Sequence, residues 1–174
     1  MQTFLSYPDF VRSAHSLDLG RHGNQRNEAY VVLKVNLQGP QIAYRKANGT
    51  KEHLWFAALD SGDGVKATPW YNHDAAIMWR GYDMALCRYG LTICEEYAKR
   101  PKKDGTLCTD NVGAKFRALQ HRILIDTGNP PWLGDETFHS AHRAALLAKS
   151  PWYQRWGWTE EPKIDYVWPK GVQS

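Results

Sequence analysis

Between residues 74 and 99, apolar side chains recur at three- and four-residue spacing: Ala75, Met78, Trp79, Tyr82, Leu86, Tyr89, Ile93 and Tyr97. That period sets them on one face of a single long helix, and a stripe so wide must be covered by other elements. The flanking sequence offers more helices. Asp18 is placed to cap a helix over 19–35, whose apolar end is Ala29, Val32, Leu33 and Val35. Ser6-Tyr7-Pro8-Asp9 reads as an earlier helix start, with Pro8 in its first turn. A shorter amphipathic helix over 110–124 carries Val112, Phe116, Leu119 and Ile123, and Asp135 caps a last one that runs to Lys149 and stops at Pro151. Gly20 and Gly23 cost about 1 kcal/mol each inside the second helix, which marks a close backbone approach there.

The stretch 37–71 differs. Gln41-Ile42-Ala43-Tyr44-Arg45 and His53-Leu54-Trp55-Phe56-Ala57 flank the turn dipeptide Asn48-Gly49, the pattern of an inserted β-hairpin, followed by a loop at 60–64. That loop has no Glu at EF-hand distance, so it is not read as a calcium site. The 174 residues fit one domain over 1–174, mainly α, with this insertion. Apolar residues at 43% and charged residues at 23% exclude a disordered or fibrous chain. No apolar run reaches membrane-span length, and no membrane partner is expected. Three cysteines without a CxxC pair point to free thiols and a cytoplasmic protein.

Three groups of residues could carry chemistry. Arg21, Gln25 and Glu28 lie at i, i+4 and i+7 and share a helix face, with Arg26 within a turn of them. A solvated face gives the same pattern. Functionally, it is a carboxylate among cations, where Glu28 stabilises developing positive charge and the arginines take phosphates. His139, His142 and Arg143 open the last helix on one side, with Lys149 further along. Histidines at i and i+3 lack a third ligand at metal spacing, so phosphate contact or loop anchoring is the expected role and no metal is assigned. In the tail, Trp152, Tyr153, Trp156 and Trp158 crowd seven residues around Arg155. They serve either as packing or as a surface on which bases stack. With eight Trp, nine Tyr, five Phe and a net charge of +4, a polyanionic partner is allowed but not required.

An ordered set of stretches resembles the pyrimidine-dimer DNA glycosylases of the endonuclease V type and their bacterial relatives. They are Met1-Gln2-Thr3-Phe4-Leu5 and Tyr7-Pro8-Asp9-Phe10; Leu17-Asp18, Arg21, Gly23, Gln25-Arg26 and Glu28-Ala29; and His73, Ala75-Ala76 and Met78-Trp79-Arg80-Gly81-Tyr82. Later come Pro131-Trp132-Leu133-Gly134, Phe138-His139, His142-Arg143, Leu146-Leu147, Lys149 and Tyr166-Val167-Trp168-Pro169. Residues 37–71 fall outside the resemblance. It implies a compact helical bundle, double-stranded DNA as partner, removal of a damaged pyrimidine such as a cyclobutane dimer, and no cofactor. It further implies an N-terminal α-amine nucleophile, here that of Met1, forming a Schiff base that permits strand cleavage, with Glu28 as the supporting carboxylate. Arg21, Gln25, Arg26, His139, His142, Arg143, Lys149, Trp152, Tyr153, Arg155 and Trp156 are the expected DNA-binding set, on a chain acting as a monomer.

Two departures from that pattern stand out. Gln2 is large where the phage-type enzymes expose a small second residue, which leaves water as an alternative nucleophile. His22, Asn24 and Asn27 replace the Leu, Lys and Val of bacterial relatives. These polar changes motivate an alternative on the same scaffold, group transfer to a hydroxymethylated base. A non-catalytic DNA-binding module is a further one.

Overall fold

In the computed structural model, Asp9 caps the first helix, α1 (Phe10–His15), by accepting the Arg12 amide on its side chain at 2.7 Å. Pro8 therefore precedes the cap rather than entering the first turn. The structure describes residues 2–38, 41–45, 51–55, 66–67 and 70–170. Asp18 starts α2 (Leu19–Gln38) by taking the Arg21 amide at 2.9 Å, three residues beyond the expected end at 35 but from the expected cap.

Three short strands follow, β1 (Gln41–Arg45), β2 (Lys51–Trp55) and β3 (Lys66–Ala67), in the order β2-β1-β3 with both pairings antiparallel. Gln41 faces Trp55 and Arg45 faces Lys51, so the second strand begins two residues earlier than the sequence suggested. The turn dipeptide Asn48-Gly49 and the loop 60–64 lie outside the described residues.

The long apolar stripe is two helices, α3 (Asp74–Trp79) and α4 (Asp83–Ala98). Gly81, at φ 82°, turns the chain between them in a left-handed conformation that favours glycine. The break is hard to see in the periodicity because Trp79, Tyr82 and Leu86 keep the helical spacing across it. The expected 110–124 helix shortens to α5 (Gly113–Gln120), and α6 (Glu136–Lys149) has its expected bounds, with Asp135 accepting the Thr137 amide. A 3-10 helix, Pro151–Trp156, leads into an irregular tail.

Helix α4 is the centre of the bundle, with α1, α2 and α5 packed against it. At its middle, Gly90 lets the buried ring of Phe116 from α5 approach so closely that a Cβ at Gly90 would sit 2.1 Å from the ring. Trp79 stacks on Tyr89 at 5.9 Å and meets the edge of Trp132 at 4.9 Å. Of the two helical glycines flagged from sequence, Gly23 faces the Tyr97 ring, with a Cβ position 3.4 Å from it. Gly20 is exposed.

Candidate active site

The segment 2–6 is buried, and nearly every backbone group along it is held by a side chain. Gln25 holds two of these groups. Its Oε1 accepts the Phe4 amide at 2.7 Å, and its Nε2 donates to Gln2 O at 2.7 Å. Tyr89 places its hydroxyl between Phe4 O, 2.9 Å away, and Gln25 Oε1, 2.8 Å away. The Trp79 indole donates to Thr3 Oγ1 at 2.9 Å. Buried polar groups are tolerated only when paired in this way.

Two histidines of α6 grip the next residue from both sides. The Leu5 amide donates to His142 Nδ1 at 2.9 Å. The Gly134 amide donates to His139 Nε2 at 3.1 Å, so the proton of His139 sits on Nδ1 and goes to Leu5 O at 2.8 Å. Both rings must stay neutral to accept, and burial enforces it: His139 is shifted below the usual histidine range and His142 down to about 3. The i, i+3 spacing that raised the question of a metal thus serves one backbone residue. Arg143, buried, donates to Ser6 O at 2.9 Å and pairs with Glu160 at 2.5 Å and with Glu136.

This framework brings Gln2 to Glu28. The Gln2 amide donates to Glu28 Oε2 at 2.6 Å, and Gln25 Nε2 reaches the same oxygen at 3.3 Å. Glu28 is half-buried and lies on the wall shared by two cavities. One, about 190 Å³, is lined by Phe4, Arg21, Asn24, Gln25 and Lys149 as well as Glu28. The other, about 280 Å³, is lined by Asn27, Val31 and Trp70 as well as Glu28. The shared helix face of Arg21, Gln25 and Glu28 therefore lines one cavity. Met1 lies outside the described residues.

Several residues expected on DNA contact the protein itself. Arg26 points away from Glu28, stacks over Tyr97 at 3.7 Å and pairs with Asp110 at 2.9 Å with both side chains largely buried. Gln25, His139, His142 and Arg143 hold the segment 2–6, and Tyr153 is buried with its hydroxyl on Asp18 at 2.5 Å. The sequence pattern placed Gln25, Arg26, His139, His142 and Arg143 in helices, as observed, whereas Tyr153, read as part of the tail, lies in the 3-10 helix. The pattern could not tell an inward polar group from an outward one. Arg21 sits between the two classes, bound to Asp18 at 2.5 Å yet lining the smaller cavity. Lys149 and Arg155 are exposed, the latter 4.5 Å over the Trp152 ring, and Trp156 is 39% exposed while donating to Ser16 O.

His22, one of the three polar departures, is a core residue: it is buried and hydrogen-bonded to Ile93 O at 2.8 Å. Asn24 and Asn27 are exposed and line the two cavities. Trp70 is the residue that sequence reasoning missed, since it lies at the edge of the insertion with no periodic signal. Beyond the end of α4, Arg100 donates to Leu17 O, Ala14 O and His15 O near the end of α1.

The family model for pyrimidine dimer DNA glycosylase matches residues 1–110. The chain belongs to that family. Arg21, Gln25, Glu28 and the segment 2–6 all fall within the match, whereas the resembling stretches from Pro131 onward lie beyond it. Membership makes the protein an enzyme of the DNA-glycosylase kind, with DNA as its substrate. No curated protein and no solved structure matches the chain. Among the described residues, no helix is long and apolar enough to cross a membrane.

Proposed function

We propose that this glycosylase removes a damaged pyrimidine, of the cyclobutane-dimer kind for which its family is named, from double-stranded DNA at the Glu28 cleft. The observation that carries the reading is the 2.6 Å bond from the Gln2 amide to Glu28, on the wall between two cavities. A carboxylate in that place stabilises the positive charge that builds on the sugar as the glycosidic bond lengthens. Arg21 and Lys149 in the smaller cavity take the adjoining phosphate, and the exposed Arg155 and Trp156 extend the contact surface.

The proposed nucleophile is the α-amine of Met1, one peptide bond from the amide that Glu28 binds. Such an amine titrates near 7.7–8, so a fraction is neutral and reactive at cellular pH. Its nitrogen bonds to C1′ and the base departs with the glycosidic electron pair. Ring opening gives a Schiff base, from which elimination of the 3′ phosphate cuts the strand. The side-chain-clamped path of residues 2–6 supports the reading, because it fixes Gln2, the neighbour of Met1, against Glu28.

The test is a duplex carrying one thymine dimer, read on a denaturing gel with and without alkali and after borohydride treatment. Cleavage without alkali and a trapped adduct are expected, and Glu28→Gln should slow the reaction on the order of 10²–10³-fold while DNA is still bound. Alkali-dependent cleavage without an adduct would replace the amine by water. Binding with no base released would overturn the reading.

A further inference from the structure

The larger of the two cavities beside Glu28 has the makings of a seat for one flat ring. Trp70 is 46% exposed, and its indole forms a wall of the cavity. The ring is fixed from behind. It lies 5.8 Å from the His73 ring at an interplanar angle of 36°, and His73 is in turn fixed as the cap of α3, accepting the Ala75 amide at 3.1 Å and donating its own amide to Trp70 O at 3.3 Å. Trp168 supports His73 edge-on at 6.0 Å.

Val31, from α2, adds a second apolar surface. One turn before it, Asn27 is exposed at the cavity, its amide nitrogen 3.5 Å from Gly23 O, a long contact that a better acceptor displaces. A carboxamide offers both a donor and an acceptor to a base edge. At about 280 Å³ the space is just below the range of drug-sized pockets, enough for a single base.

We propose that this cavity gives the enzyme a second class of substrate: a single flat pyrimidine in DNA whose edge differs from that of thymine by a hydrogen-bonding substituent, stacked on Trp70 and read by Asn27. This rests on the glycosylase reading above. A cyclobutane dimer is puckered and joined to its neighbour, so it presents no single flat ring to the indole. An extruded monomeric base does. The reaction is unchanged: the glycosidic bond breaks, the base leaves with the electron pair and is protonated, and C1′ takes the nucleophile.

The experiment compares three duplexes with the full chain under single-turnover conditions, carrying a thymine dimer, one 5-hydroxymethyluracil, or thymine at the same position. Base release from the second and not the third is expected. Trp70→Ala should slow release from the 5-hydroxymethyluracil duplex on the order of tenfold or more, as expected from loss of one stacking partner, with Trp70→Phe close to wild type and the dimer duplex little affected. Asn27→Val should narrow the preference over thymine. Because the Trp70 indole is half out of the core, melting curves of both Trp70 variants are expected to match wild type.

Cleavage of the dimer with no release of 5-hydroxymethyluracil would overturn this inference alone. Release of 5-hydroxymethyluracil with the dimer untouched would uphold it and remove the dimer from the reading above. Equal loss on both substrates in Trp70→Ala would make Trp70 a general structural residue and also refute the proposal. Inertness toward all three duplexes would end both readings.

Discussion

The Gln2 amide and Glu28 Oε2, 2.6 Å apart and separated by 26 residues in the chain, meet because Gln25 occupies the turn of α2 before Glu28 and holds both Gln2 O and the Phe4 amide. The helix thus carries both the carboxylate and the clamp that holds the segment 2–6 against it. Four consequences can be measured.

Gln25→Ala should damage catalysis and stability together. It strands the buried Phe4 amide and removes the acceptor shared with Tyr89, at a cost of about 2–3 kcal/mol by denaturant unfolding. Because the segment 2–6 loses its register, kcat should fall more than KM rises. A KM effect alone, at unchanged kcat, would mean that Gln25 contacts DNA and does not set the segment 2–6.

Arg26 and Lys149, both expected on DNA, should now separate. Arg26→Ala leaves the largely buried Asp110 without its cation and is expected to destabilise the fold by about 3 kcal/mol. Lys149→Ala, at an exposed cavity-lining site, should leave the melting temperature unchanged and lower the slope of log binding constant against log salt by about 0.9. Salt titrations of DNA binding, run beside melting curves, decide it. A stable Arg26→Ala protein with a reduced salt slope would return Arg26 to the DNA surface.

Acid should unfold the protein through its buried histidines. Burial lowers His142 to about 3 and His22 to about 4, from an ordinary value near 6.5. Below pH 6.5 the unfolded chain therefore takes up protons that the folded chain refuses until pH 4 or lower, so stability falls as pH drops through this window. Asp83, raised to about 6 by burial, acts in the opposite direction but is one group against the three buried histidines, His22, His139 and His142. Unfolding free energies from pH 7 to pH 4 should decline, and His142→Gln, which can still accept the Leu5 amide, should flatten the decline by up to one proton. A flat profile down to pH 4.5 would contradict the neutral-histidine clamp.

Gly90→Ala should cost about 3 kcal/mol, because the new methyl would overlap the Phe116 ring in a core that cannot yield. Phe116→Leu in the same chain should recover part of that loss, and the coupling between the two is read from a double-mutant cycle in urea. Additive losses would show that the two residues do not share the space.

What the sequence determined on its own was local. Asp18 and Asp135 start helices through bonds that span two or three residues, and the i, i+4, i+7 spacing set Arg21, Gln25 and Glu28 on one face; these follow from helix geometry alone. The division of 74–99 at Gly81 was written in the sequence but masked, since the apolar spacing continues across the turn. What only tertiary structure decided was the direction each polar side chain faces. Gln25 and Arg26 are neighbours on one helix, yet Gln25 turns to the backbone of 2–6 and Arg26 to Asp110, 84 residues away. His142 likewise acquires its tautomer from the Leu5 amide, 137 positions distant, and His139 spends its Nδ1 proton on the carbonyl of the same residue. Helical periodicity fixes an angle about one axis; which partner waits at that angle depends on how the other helices pack, and that is settled by burying the apolar face as a whole.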